Sequence, residues 1–380
     1  VLGSNRLKDI VYGWVSFLAA TGPRQKPRQP KLLIVRLDEI GDFMLWHKFL
    51  EETIAAFPGY TVHFLGNKSW KLLFETLHAD AVNKAVWMDK IRFKKDLRYR
   101  GGLISQVYRE GYSAVVNPTF SRDRRYDDCI VQAARATQTW GMVANREAMR
   151  PYEHGYDRNL YTHLFDHPEK PVFEFYRNQL FAAFVAKRNV AVTDTRIDTG
   201  LLPVFQQQLP PEYFIVFPGS RSAARIWPAA GFVQLAGYLY ERFGWKALVC
   251  GTAADKPYTD QFLQQYRYPS LDLTGATTLT DMLVLFRKAQ CLLSVDTGSV
   301  HMAAAAGCRV FGIFNGSQYG RFAPYPKELA GNFHAIYPEE IKVDLQDPHI
   351  VRERYEFVID QPYASVSGEQ ALQELKKMLD

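Results

Sequence analysis

Apolar residues in this chain gather in short runs. Each run ends in a turn bearing glycine or an acid, and a stretch with one apolar face follows. Residues 31–37 (KLLIVRL) predict a buried strand, the turn Asp38-Glu39-Ile40-Gly41-Asp42 follows, and Phe43, Trp46, Phe49, Leu50 and Ile54 then recur at helical spacing. Further strands are expected at 60–65, 81–87 and 114–117, with helical stretches between them. A second series places strands at 213–217, 246–250, 270–273 and 309–314 and helices at 232–240 and 279–287. Within it, Leu292-Leu293-Ser294-Val295 runs into Asp296-Thr297-Gly298, and Ser299-Val300-His301 opens an Ala-rich helix closed by Gly307. Strands alternating with helices argue for parallel sheets covered on both faces, an α/β fold.

The flanks follow other patterns. Leu7, Ile10, Val11, Trp14, Val15 and Leu18 predict a short amphipathic helix over 6–20, and residues 23–31 carry four basic side chains, three prolines and no acid, as an extended linker does. An apolar face ahead of a basic linker suits an anionic membrane surface, and it also suits docking on the protein itself. Basic runs occupy 90–100 and 121–125, and residues 145–172 read as a polar and aromatic excursion near a site or an interface. Periodicity lapses over 191–212, where Pro203, Pro210 and Pro211 mark a linker. The last helix opens on the capping box Ser367-Gly368-Glu369-Gln370. The expected division is a helix and linker (1–30), a first α/β domain (31–190), a linker (191–212), a second α/β domain (213–362) and a C-terminal helix (363–380).

At 380 residues there is room for two cores, and 47% hydrophobic with 23% charged residues excludes a disordered or membrane-spanning chain. No signal peptide is evident and no apolar run nears the roughly 20 residues that cross a bilayer, so a cytoplasmic protein is expected. The net charge of +6 favours acidic substrates or an anionic surface without establishing either. Cys129, Cys250, Cys291 and Cys308 are far apart without metal-ligand spacing and read as reduced core residues. No metal site, cofactor or nucleic-acid partner is expected.

The chemistry is expected at two turns. Gly298 admits close backbone approach, and the unpaired N–H groups of the helix after it form an anion site that a phosphate fits; a capped turn with no ligand reads equally well. The turn before Phe43 likewise puts glycine and acid at a helix start, where Asp42 by itself reads as an acid favoured by the helix dipole.

Three blocks carry a resemblance: Leu33-Ile34-Val35-Arg36-Leu37-Asp38-Glu39-Ile40-Gly41-Asp42, then Phe217-Pro218-Gly219-Ser220-Arg221 with Arg225-Ile226-Trp227-Pro228, then Asp296-Thr297-Gly298-Ser299-Val300-His301. In this order, at the ends of strands, they make the chain similar to glycosyltransferase family nine, the ADP-heptose:lipopolysaccharide heptosyltransferases. The resemblance implies a GT-B architecture of two Rossmann-like domains with parallel sheets facing a central cleft, acceptor on the first and nucleotide-sugar on the second, and a last helix returning to the first domain. It implies an inverting, metal-independent transfer from ADP-heptose with Asp42 as general base. Ser220, Arg221, Arg225, Thr297, Gly298 and Ser299 would hold the donor diphosphate and Asp296 its sugar hydroxyls, while His301 touches phosphate or only holds the loop. Arg225 stands where the family usually has lysine. In Gly251-Thr252-Ala253-Ala254-Asp255 the acid that would hold the ribose is displaced or missing. The acceptor would be an acidic inner-core glycolipid, for which Arg122, Arg124, Arg125 and the basic run 90–100 are candidates beside the reading of either run as a solvated face, and the enzyme would work at the inner face of the cytoplasmic membrane. Two rivals stand beside this: the same fold with another donor or acceptor, and a non-catalytic sugar-nucleotide binding protein. A dinucleotide oxidoreductase is disfavoured, because no G-x-G-x-x-G follows the first strand.

Overall fold

The computed structural model describes residues 2–145, 155–166 and 171–379. The chain forms two compact units, Val1–Pro168 with Arg177–Val192 and Glu169–Tyr176 with Thr193–Asp380.

The first unit holds six strands: β1 (Lys31–Arg36), β2 (Thr61–Asn67), β3 (Lys84–Met88), β4 (Ala114–Val116), β5 (Gln138–Met142) and β6 (His163–Phe165). They pair in the order β3-β2-β1-β4-β5-β6, every neighbour parallel. Leu32 through Arg36 are buried because helices cover both faces, which is why β1 reads as a continuous apolar run. On one face Leu33 and Val35 pack with Ile104, Val107 and Ile130. A second cluster is aromatic, with Phe43 stacked on Trp70 at 4.5 Å and Phe64 on Phe74 at 4.3 Å. Gly66 sits inside it, where a Cβ would come within 2.5 Å of Trp87.

The second unit repeats the plan with β7 (Tyr213–Phe217), β8 (Lys246–Val249), β9 (Ser270–Asp272), β10 (Leu292–Val295), β11 (Val310–Ile313) and β12 (Phe333–Ile336). The order is β12-β11-β10-β7-β8-β9, again all parallel. Counted from its own first strand this is the order of the first sheet, the doubly wound arrangement with a reversal beside the first strand. Phe214, Val216, Leu235, Leu239, Val249, Leu293 and Phe311 form its core.

Several elements differ from expectation. The N-terminal helix, Leu2–Ala19, begins earlier than predicted and docks on the first unit. Strands β5, β6 and β12 are additions, since Gln138 and Gly141 break the apolar pattern of β5 and β6 has only three residues. In the excursion predicted over 145–172, residues 146–154 and 167–170 lie outside the described residues, and the remainder contributes helix Asp157–Leu160 and β6. Residues 193–212 lie in the second unit, where the Ile197 N–H donates to the Ala305 carbonyl. The final helix, Gly368–Leu379, which the resemblance would return to the first domain, belongs to the second unit. Its apolar stripe, Ala371 and Leu375, is fully buried in the second core, and a Cβ on Gly368 would meet Gln234 and Gly231 of helix Ala229–Phe243.

Candidate active site

In a doubly wound sheet, ligands bind beyond the carboxyl ends of the strands where the order reverses. In the first unit that point lies past β1 and β4, and in the second past β7 and β10. The sequence-predicted residues Asp42, Ser220 and Asp296 to His301 all follow one of these strands.

In the first unit Arg36 ends β1 with its side chain fully buried. Its Nε donates to Asp38 Oδ1 at 3.0 Å, and Nη2 lies 2.8 Å from Asp38 Oδ2. Nη1 donates to the Pro118 carbonyl at 2.9 Å and Nη2 to the Asp42 carbonyl at 3.1 Å. The guanidinium therefore ties the loops after β1 and β4 together. From the other side the Asp38 carbonyl accepts from Asn67 Nδ2 and Trp70 Nε1, both at 3.1 Å. Asp42, half-buried in helix Ile40–Met44, is carried on this fixed loop. Lys90 faces Glu39 across 3.2 Å. Burial alone would lower its pKa, but the charges of Glu39, Asp127 and Asp38 together raise it. Asp127 is buried with Oδ1 unpartnered, and desolvation pushes its pKa up to about 6.

The three arginines proposed for the acceptor part company. Arg122 is fully buried: Nε donates to Asp128 at 2.9 Å, Nη2 to Asp157 at 3.3 Å and Nη1 to the Met142 carbonyl, with the ring of Tyr161 4.7 Å from its Cζ. It is occupied in holding the fold together. Arg125 is half-buried against Asp9 at 2.7 Å. Arg124 is exposed, stacked 4.1 Å over Tyr156, and of the three it alone presents its charge outward.

In the second unit, Gly219 lies directly over Asp255: a Cβ at 219 would fall 2.4 Å from Asp255 Oδ1, so this turn after β7 requires glycine. Ser220 Oγ accepts from the Ser222 N–H at 3.3 Å, and Arg221 is exposed. The short turn of helix Ala223–Arg225 directs Arg225 to Asp296, where Nη1 reaches both the carbonyl at 3.3 Å and Oδ2 at 3.2 Å. Burial raises the Asp296 pKa and Arg225 opposes this in part. Helix Gly298–Ala305 begins after Thr297 with no side-chain cap, because the Thr297 hydroxyl pairs with Ser299 Oγ at 2.6 Å and Ser299 with Ser294 Oγ at 2.9 Å. Thr297 and Ser299 thus fix the turn through their hydroxyls, the Val300 N–H donates to the Thr297 carbonyl at 3.2 Å, and no side chain caps the helix start where the Gly298 and Ser299 amides lie. His301 is buried, its Nδ1 2.7 Å from the Tyr325 hydroxyl, and desolvation lowers its pKa to about 3. It is a neutral ring anchoring the helix to the loop after β11.

The displaced acid after β8 has its own task. Asp255 Oδ2 accepts from the Thr252 N–H at 2.8 Å and hydroxyl at 2.7 Å, closing a capping box. Lys90, Asp127 and Tyr325 are site neighbours that sequence reasoning did not single out. Lys90 was visible only as part of a basic run, and Tyr325 carried no signal. Among the described residues, no group of three or more His, Cys, Asp or Glu is placed to hold a metal ion.

Comparison with known proteins fits this arrangement. A family model for glycosyltransferase family 9 (heptosyltransferase) matches residues 142–349, more than half of the chain. Among solved structures, the chain is similar to a family 9 glycosyl transferase from Veillonella parvula, with TM-score 0.67 and 15% identity over 92% of this chain and 97% of that one. It is similar to E. coli heptosyltransferase WaaC with ADP, with TM-score 0.63 and 14% identity over 92% and 99%. A third is E. coli ADP-heptose lps heptosyltransferase II, with TM-score 0.56 and 16% identity over 92% and 98%. No curated protein sequence matches the chain. At such identities the structural likeness establishes the fold, an α/β GT-B-like architecture. With the family match over most of the second unit and the motif residues at the strand ends where the topology puts a ligand, the chain belongs to glycosyltransferase family 9, the heptosyltransferases.

Proposed function

We propose that this protein is an inverting, metal-independent glycosyltransferase that moves heptose from ADP-heptose to an acidic lipopolysaccharide inner-core acceptor at the inner face of the cytoplasmic membrane. The observation that carries the reading is the turn after β10, where an uncapped helix start lies beside an aspartate held by a partly exposed arginine. In the proposed reaction, the first-turn amides of helix Gly298–Ala305, with Arg221, Ser220 and Arg225, take the charge that builds on the departing nucleoside diphosphate. Asp296 receives sugar hydroxyls. Asp42 accepts the proton of the acceptor hydroxyl as its oxygen bonds to the anomeric carbon and the bond to the diphosphate oxygen breaks, a single displacement that inverts that carbon. Of the arginines after β4, Arg124 is the one suited to an acidic acceptor.

The test is a donor panel. The purified protein is incubated with ADP-heptose and other nucleotide sugars, with and without core glycolipid, and nucleotide release is followed. Release from ADP-heptose that requires the glycolipid is expected. Asp42→Ala should lower turnover by about a thousandfold while leaving donor binding unchanged, and a binding protein would show no turnover to lose. A second reading keeps the transfer but changes the donor. The engagement of Asp255 Oδ2 in its cap favours it, since the acid after β8 is then drawn toward Thr252 and away from a ribose. Turnover with another nucleotide sugar and none with ADP-heptose would decide for it.

A further inference from the structure

The N-terminal helix packs through its smaller side chains and leaves its largest apolar ones outside. Against helix Leu97–Arg109 it sets its small and polar side chains: Val15 and Ala19 lie over Gly101, and the Arg100 guanidinium stacks 4.4 Å from the Tyr12 ring. The Tyr12 hydroxyl donates to the Lys94 carbonyl at 2.7 Å, and Asp9 pairs with Arg125. Outward it presents Ile10 at 57% exposure, Trp14 at 62%, Phe17 at 60% and Leu18 at 63%. These positions share one helical face, and the rings of Trp14 and Phe17 meet edge to face at 6.4 Å. A helix that docks through Tyr12, Val15 and Ala19 and turns five large apolar side chains to solvent, Val11 at 38% exposure being the fifth, is built to meet something else.

The surroundings specify the partner. The segment 90–98, tied to the helix through Lys94, bears exposed Arg92, Lys94, Lys95 and Arg98 and also exposes Ile91 and Leu97. The linker adds exposed Lys26 and Arg28. An apolar stripe with an aromatic pair and a basic rim complements an anionic bilayer, where the rings sit at headgroup depth and the cations meet phosphates. A second copy of the chain would bring like-charged rims together. Among the described residues no helix is long and apolar enough to cross a membrane, so the helix would lie in the surface.

We infer that residues 10–18 and the basic rim at 91–98 form a docking surface for anionic phospholipid bilayers. The inference extends the proposed membrane location but does not depend on the transfer chemistry, because binding is read without donor or acceptor. The full chain is sedimented with vesicles of phosphatidylcholine alone and of phosphatidylcholine mixed with phosphatidylglycerol. Binding to the mixed vesicles at least about tenfold stronger than to phosphatidylcholine is expected, weakening with salt. The double variant Trp14→Glu, Phe17→Glu should lose it, and Lys94→Glu, Lys95→Glu should lose the preference for phosphatidylglycerol. Both variants change exposed side chains, and circular dichroism together with urea denaturation checks that they remain folded. Equal sedimentation of wild type and the Trp14, Phe17 variant overturns the inference. So does a wild-type dimer in light scattering that this variant dissolves, which would assign the face to a second copy. Vesicle binding without nucleotide release would leave the docking surface standing and the transferase reading fallen.

Discussion

The two units share one strand order and place an arginine on an aspartate at the same point of it, yet the two pairs serve different ends. Arg36 is fully buried and uses Nε, Nη1 and Nη2 to reach Asp38 and two carbonyls. Arg225 is 33% exposed and reaches Asp296 with Nη1 alone. The first arginine is consumed in fixing a loop that carries acids, Asp38, Glu39 and Asp42. The second remains open to solvent beside an uncapped helix start, where an anion would be received. In the proposed reaction the first half supplies the proton acceptor and the second the anion holder, and the observed difference lies in how much of each guanidinium the protein itself uses.

The sharpest way to break this contrast is to remove each arginine. Arg36→Ala leaves Asp38 without its buried partner and should cost about 3–5 kcal/mol of unfolding free energy, with faster hydrogen exchange through β1 and the loop after it. Arg225→Ala should cost less, about 1 kcal/mol, since Arg225 is itself 33% exposed although it leaves the buried Asp296 without its cation, while weakening donor binding. Urea denaturation of both variants beside donor titration checks the pair. Equal losses of stability would show that the second arginine is structural too.

A somewhat smaller contrast concerns pH. The Asp127 carboxyl, held at about 6 by burial, stabilises the first unit below its unfolded value near 4, and that contribution is lost as pH rises through 6. Asp127→Asn should therefore raise stability by up to about 3 kcal/mol at pH 8 and by little at pH 4. In the second unit His301, lowered to about 3 by burial and Arg225, works in the opposite sense. Its contribution is present above pH 6.5 and drains away as pH falls toward 3, so His301→Gln should flatten the acid limb. Urea midpoints across pH 4–8 read both, and parallel profiles for the two variants would refute the assignment.

What could be read from the sequence follows the same physics. Strands β1, β7 and β10 were legible because burial on both faces leaves continuous apolar runs, and the candidate site turns because glycine and acid follow those runs directly. Strand β5 was not, since its polar first residue and Gly141 hide the pattern. The burial of Arg122 was also invisible. A run of arginines looks solvated until Asp128 and Asp157, 6 and 35 residues away, fold onto it. Spacing likewise grouped Ile10, Val11, Trp14 and Leu18 on one face of the N-terminal helix but did not show that this face turns outward while Val15 packs inward with Ala19, because periodicity does not record what lies opposite.

The smallest expected effect sharpens the comparison most. Lysine stands at position 225 in the wider family by resemblance, and a lysine carries one compact ammonium in place of a fork. Arg225 makes both of its contacts with Asp296 through a single nitrogen, so one ammonium can replace that nitrogen. Arg225→Lys should raise the donor KM by no more than about fivefold, close to 1 kcal/mol, with kcat nearly unchanged. Arg36→Lys should behave almost as Arg36→Ala, because one ammonium cannot serve Asp38, the Pro118 carbonyl and the Asp42 carbonyl from a buried position. If the two conservative changes were equally mild, geometry would not matter at Arg36 and the division of labour between the units would rest on charge alone. If both were severe, Arg225 would need its full fork, and its free nitrogens would have to be bound to the donor in the working enzyme.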